Sequence, residues 1–128
     1  MKAGICESLH EVAKVVAAGE ASSLALGNFL AFLKPEATPE AIREIPAILA
    51  GQRPNGDLMD AYLAAVAETL ALRQGLQPPA WTEGPARFLG HFHFPSRSKR
   101  LNDLLLQETP EPFRRRGIVV SSNVMDVA

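Results

Sequence analysis

Cysteine, aromatic residues and a surplus of either charge are scarce in this chain, and each shortage removes a class of function. Cys6 is the single cysteine, so neither an intramolecular disulfide nor a cysteine-rich zinc site can be assembled. A reducing, cytoplasmic setting fits best. Thirteen Lys and Arg stand against 14 Asp and Glu, giving a net charge of -1, so nothing in the overall charge calls for nucleic acid. Long apolar runs are missing as well: residues 29–33 and 61–67 fall well short of the ~20 residues that a membrane-crossing helix needs. The apolar run at residues 12–18 contains Lys14 and follows Glu7 and Glu11, so no secretory signal is expected. No phosphate-binding glycine loop, nucleophilic elbow or Cys and His pairing is present. The reading is a protein that is not an enzyme and holds no cofactor.

What is there points to a helical protein. A chain of 128 residues, 47% hydrophobic and 21% charged, has a globular composition. At this length one core buries roughly two-thirds of the unfolded surface. The expectation is a single helical domain over residues 1–128, with N-terminal helices in 1–51, a central helix at 57–74 and a basic, aromatic subregion at 79–120. Nineteen Ala, and nine Arg against four Lys, read as a bias of genome composition. There is no repeat and no low-complexity tract.

The three-and-four spacing of Leu9, Val12, Ala13, Val16 and Ala17 predicts an amphipathic helix over residues 7–20, with Gly19 as its stop. Ser22 or Ser23 can cap a second helix through Leu33, apolar around much of its circumference and so central to the core. Thr38 and Pro39 open a short third helix. Pro46 either breaks it near Glu44 or restarts it as far as Ala50. Asp57 is placed to cap the strongest helix, which runs to Gln74 with Gly75 as its C-terminal cap. Its expected apolar stripe is Leu58, Tyr62, Ala65, Val66 and Leu70, with Thr69 a further candidate for it, and Asp57, Asp60, Ala64, Glu68 and Ala71 on the outer side. Residues 76–95 read as an irregular crossing rich in proline and aromatics, with a helical turn or two after Thr82. Ser96 then caps a helix to Glu108 carrying Leu101, Leu104, Leu105 and Leu106, and Thr109 and Pro110 open a last short helix ended by Gly117. Residues 118–120 can pair as a short strand, and 121–128 form a final turn or frayed tail. The fold class is all-α, a bundle of about five to seven helices, several of them short.

Functional candidates concentrate at the C-terminal end. Residues 82–128 carry seven Lys and Arg against five Asp and Glu, whereas residues 1–81 carry six against nine. Phe113 followed by Arg114, Arg115 and Arg116 has the make-up of a contact to phosphate or carboxylate, with Arg97, Lys99 and Arg100 nearby in sequence. Successive helical positions are about 100° apart, however, so three consecutive arginines cannot all face one ligand. Cations in a last helical turn also complement the negative end of the dipole, and Glu108 or Glu111 can pair with one of them. Trp81 reads as a core or edge anchor, or, if exposed, as an interface aromatic. His91 and His93, two apart, could present two imidazoles to a metal, with Phe92 and Phe94 on the opposite side. A zinc site needs more ligands than these two, so the preferred reading is a linker that inserts the two phenylalanines into the core. Capping accounts for Asp57, and solvation for Asp60 and Glu68.

Several of these pieces occur together: Asp60 to Glu68, Pro79-Ala-Trp-Thr82, Arg87-Phe-Leu89, Phe94-Pro-Ser96, and Thr109-Pro-Glu-Pro-Phe-Arg-Arg-Arg-Gly-Ile118. In this arrangement the chain resembles a family of small, mostly uncharacterised bacterial all-helical proteins, most specifically in the Pro-x-Phe-Arg-Arg-Arg motif. Members occur alone or joined to a DNA-binding helix-turn-helix domain, and some are encoded beside nucleotidyltransferase-like toxins. The resemblance implies an antitoxin or regulatory partner role. It transfers no catalytic residues. The chain departs from the family in having His93 where an aromatic is commoner, and it has no recognisable helix-turn-helix. Two functions are therefore expected to compete: a protein-interaction module, antitoxin-like, meeting the product of a neighbouring gene; and a nucleic-acid-binding regulator that uses the basic residues. A third, weaker alternative is a metal site at His91 and His93. Homo-oligomer formation remains open.

Overall fold

Small and apolar side chains dominate the 18 residues of Gly56–Arg73, and this helix is the axis of the computed structural model, which describes residues 6–126. The architecture is all-α. The described residues hold six α-helices: α1 (Leu9–Ala17), α2 (Ser22–Phe32), α3 (Thr38–Arg43), α4 (Gly56–Arg73), α5 (Lys99–Glu108) and α6 (Glu111–Arg114). Single 3-10 turns stand at Pro35–Ala37, Ala80–Glu83 and Pro85–Arg87. No helix among these residues is long and apolar enough to cross a membrane.

Helix α1 follows its sequence pattern. Ser8 Oγ accepts a hydrogen bond from the Glu11 amide at 3.2 Å, Leu9, Val12, Ala13 and Val16 are buried, and the chain leaves the helix through Gly19 at φ +116°. Helix α2 starts at Ser22 itself, with Ala21 in the cap position and no side-chain cap. Thr38 likewise lies inside α3 rather than before it, because the 3-10 turn at Pro35–Ala37 already supplies the entry. That helix stops at Arg43, Glu44 is extended, and residues 45–49 form no second helix, as a proline at 46 favours. The cap of α4 is Asn55, at φ 59°, and not Asp57. Gly56 fills the first helical position because a Cβ there would collide with the Leu49 carbonyl.

The main departure concerns the sides of α4. Its expected outer face is covered: Asp60, Ala64 and Ala71 are buried and Glu68 is partly so, which leaves only Asp57 of that set exposed. Alanine is the cause, since its short side chain lets neighbouring backbone approach closely. The turns at Ala80–Glu83 and Pro85–Arg87 and helix α6 lie against α4, as does α3. One hydrophobic cluster results, joining Leu9, Val12, Phe29, Ile42, Leu63, Val66, Phe113 and Ile118 across these elements.

Residues 88–93 run beside 116–118. Leu89 N–H donates to the Arg116 carbonyl at 3.0 Å and His93 N–H to the Gly117 carbonyl at 2.7 Å, and His93 forms one parallel bridge with Ile118. The strand expected at 118–120 is reduced to that bridge. Phe92 and Phe94, expected in the core, are each 44% exposed, with ring centroids 5.8 Å apart. The surface of α4 is already filled by Phe113 and the two 3-10 turns, so the crossing stays outside. Beyond it, Ser121 to Met125 form a turn; Val127 and Ala128 of the expected tail, and residues 1–5 ahead of the expected first helix, lie outside the described residues.

Candidate interaction surface

The three consecutive arginines serve three different purposes, and two of them are bound into the fold. Arg116 is 0% exposed, which corrects its reading as a partner contact. Its guanidinium donates to the Pro112 and Thr82 carbonyls, each at 2.8 Å, and to the Glu68 carboxylate, and it lies 4.8 Å from the Phe88 ring centroid. Arg115 reaches the same acid from outside: it donates to Glu68 at 3.0 Å and, through both terminal nitrogens, to Glu83 at 3.0 and 2.9 Å. The hydrogen bond to Glu83 raises the Arg115 pKa, and the same bond holds the Glu83 carboxyl below its ordinary range. Burial pulls the Arg116 pKa down, with Glu68 opposing that shift. Among the described residues Arg114 pairs with Glu111 alone, at 2.6 Å on the same short helix. Phe113, also expected at a contact, is 0% exposed and meets Tyr62 edge to face at 5.2 Å.

The motif thus forms a clamp that ties α6 to α4 and to the Ala80–Glu83 turn. Local sequence positions it: Gly117 turns the chain at φ +89°, and a Cβ there would strike the His91 carbonyl. The arginine side chains diverge, as their helical spacing requires.

A second buried network was absent from the sequence-based expectations. Asp60, expected in solvent, is fully buried and accepts hydrogen bonds from the amides of Leu49 (2.7 Å) and Ala50 (3.1 Å). Arg87 lies 3.9 Å from Asp60 Oδ1 and donates to the Pro46 carbonyl at 2.7 Å. Burial raises the Asp60 pKa against its two backbone donors and lowers that of Arg87. The Arg87 guanidinium sits 4.8 Å from the Trp81 ring centroid, and the indole N–H donates to the Ile42 carbonyl at 2.9 Å. Trp81 is a half-buried anchor, at the core or edge as expected, whose indole N–H is engaged inside the fold. These side chains lash residues 42–50 to α4.

His91 and His93 are both exposed, and no three His, Cys, Asp or Glu side chains gather as a metal site among the described residues. Burial pushes the Cys6 thiol pKa up, so this cysteine is not an activated thiolate.

Three basic residues of the candidate set face solvent side by side in sequence at the entry to α5: Arg97, ahead of its cap, and Lys99 and Arg100 in its first turn. Ser98, not Ser96, caps this helix, accepting from the Leu101 amide at 3.2 Å. Ser96 instead exchanges two hydrogen bonds with the Asn102 side chain, and the Thr109 hydroxyl holds the other end between Leu105 and Val120. Fixed at both ends, α5 still has no buried residue. Asn102, Leu105 and Leu106 lean on the body, while Leu101 (45%) and Leu104 (53%) are exposed. Those two are three residues apart and share one face, with Arg100 four residues before Leu104 along its edge. Lys99 is paired with Asp103 at 2.9 Å; Arg97 and Arg100 enter no ion pair among the described residues.

Of the seven residues expected to bind a partner, the structure leaves Arg97, Lys99 and Arg100 together on this surface, with Arg114 apart from them on α6. Phe113 and Arg116 are withdrawn and Arg115 is engaged. The leucines of α5 and the Phe92 and Phe94 pair complete the exposed apolar surface of this end. No protein-family model matches the chain, and neither curated proteins nor solved structures provide a match.

Proposed function

We propose that this chain is a non-enzymatic protein-interaction module that engages its partner through α5 and the preceding aromatic crossing. One observation carries the reading: a helix capped at one end and bonded at the other keeps Leu101 and Leu104 about half exposed beside two arginines that enter no ion pair among the described residues. Holding a helix with two of its leucines about half exposed leaves apolar area uncovered, and a partner that covers it gains roughly 25 cal/mol for each Å². The partner fitted to this surface has apolar anchors flanked by carboxylates, because Arg97 and Arg100 border the leucines. The resemblance to bacterial proteins encoded beside nucleotidyltransferase-like toxins favours an antitoxin-like or regulatory role. The competing nucleic-acid reading now rests on Arg97, Lys99 and Arg100, since the three later arginines are occupied by Glu111, Glu68 and Glu83.

Coexpression with the products of the adjacent genes is the test. Copurification that is lost in Leu104→Glu supports the module; no bound neighbour, together with no neighbour toxic when expressed alone, removes the antitoxin role. Binding to DNA or RNA that falls steeply with salt would favour the nucleic-acid reading instead.

A further inference from the structure

A second uncovered surface lies far from α5 in sequence, where α2 ends. The 11 residues Ser22–Phe32 include no charge and are apolar on most sides, a composition that belongs to a helix covered all round. Yet Leu24 and Phe32 are 51% and 58% exposed. Phe32 borders an open groove of about 460 Å³ floored by Phe29, Leu33 and Cys6, with Glu7, Lys34 and Glu40 at its edge. Glu40 is held by Arg43, whereas Lys34 and the Glu7 carboxylate enter no ion pair among the described residues.

We propose that this groove is the contact between two copies of the chain, related by a two-fold axis. In an isologous interface one patch must complement itself, so any charge on it has to find its opposite on the same patch. The groove meets that condition. Its helix is neutral, and its edge carries one cation and one anion without an ion pair among the described residues, so Lys34 of each copy can meet the partner's Glu7 while the two exposed Phe32 side chains cover each other and the part-buried Leu33. The α5 surface fails the same condition, because its acids are already engaged, Asp103 by Lys99 at 2.9 Å and Glu108 by the Ser122 amide at 2.7 Å, which leaves Arg97 and Arg100 of each copy no free carboxylate on the other's α5. Charge therefore assigns the α2 groove to self-association and α5 to a different molecule, and the two assignments stand or fall separately.

Sedimentation equilibrium of the full chain under reducing conditions tests the proposal, with circular dichroism of each variant to verify the helical fold. The wild type is expected as a dimer at tens of micromolar. Phe32→Glu, at an exposed position, should keep its helical spectrum and sediment as a monomer. Lys34→Glu should weaken dimerisation about tenfold, a change of about 1.4 kcal/mol, and adding Glu7→Lys should restore it. Leu104→Glu should remain dimeric. A wild type that is monomeric at about 100 micromolar, or a dimer indifferent to Phe32→Glu and to the charge reversal, overturns the proposal.

Discussion

Arg116 and Arg100 are the same residue type, 16 positions apart, and the structure puts them to opposite uses. Arg116 is enclosed, with Glu68 and two backbone carbonyls around its guanidinium; Arg100 stands in solvent at the edge of an uncovered leucine pair. The difference comes from what each chain segment can reach. Residues following α6 are drawn against α4 by Phe113 and Ile118, both buried, and a cation carried along with them must find a carboxylate or cost several kcal/mol. Helix α5 has no such anchor on its outer side, so its cations remain hydrated. A basic stretch is therefore informative about partners only where the neighbouring apolar residues leave it at the surface.

The sharpest way to break this comparison is to truncate the enclosed member. Arg116→Ala leaves two buried carbonyls without their donor and Glu68 with Arg115 alone, and urea unfolding should show a loss of about 3 to 5 kcal/mol. Asp60→Ala attacks the other buried network. It removes the acceptor for the Leu49 and Ala50 amides and the counter-charge of Arg87, with an expected loss of about 3 kcal/mol by the same measurement. Gly117→Ala should cost about 2 kcal/mol, because alanine resists φ +89° and its Cβ meets the His91 carbonyl.

Glu83→Gln gives a smaller effect that depends on pH. The folded-state pKa of Glu83 is depressed, so its contribution is present above the unfolded value and is lost as pH falls through the folded one. Half of this side chain is exposed, so solvent screening limits the loss at neutral pH to about 0.5 kcal/mol, and the difference from wild type should vanish in acid. Asp60 has the opposite sign. Its folded pKa is raised, so its titration favours the native state at low pH, and that contribution is lost as pH rises through the folded value. Smallest of all, Leu104→Ser should change stability by less than about 0.5 kcal/mol, since an exposed leucine gives up little packing.

Much of the helical framework was legible from local signals. Leu9, Val12, Ala13 and Val16 have the spacing of a buried face, and Gly19 and Gly117 have the positive φ of stops, whereas Pro46 allows either a break or a restart and the structure takes the break. The candidate site was less legible. Arg116 and Glu68 are 48 residues apart, Arg115 and Glu83 are 32 apart, and no periodicity links such pairs. The burial of Asp60 left a fainter trace: it sits in an alanine-rich helix whose back admits other backbone closely, and a carboxylate there must be satisfied by distant amides. The leucines of α5 gave a clear amphipathic pattern, but the pattern does not distinguish a face turned to the core from one turned to a partner. Cap positions moved by a few residues for a steric reason, as at Gly56, where the approach of Leu49 and not capping chemistry selects the residue.

The division between a structural and a free basic cluster is tested most directly by one urea unfolding comparison at neutral pH, Arg116→Ala against the double variant Arg97→Ala with Arg100→Ala. The single buried change should lower the unfolding free energy by about 3 to 5 kcal/mol, and the double surface change by less than about 0.5 kcal/mol. Equal losses, or a larger loss in the double variant, would contradict the assignment of the Phe113 to Arg116 motif to the fold and of Arg97 and Arg100 to a partner.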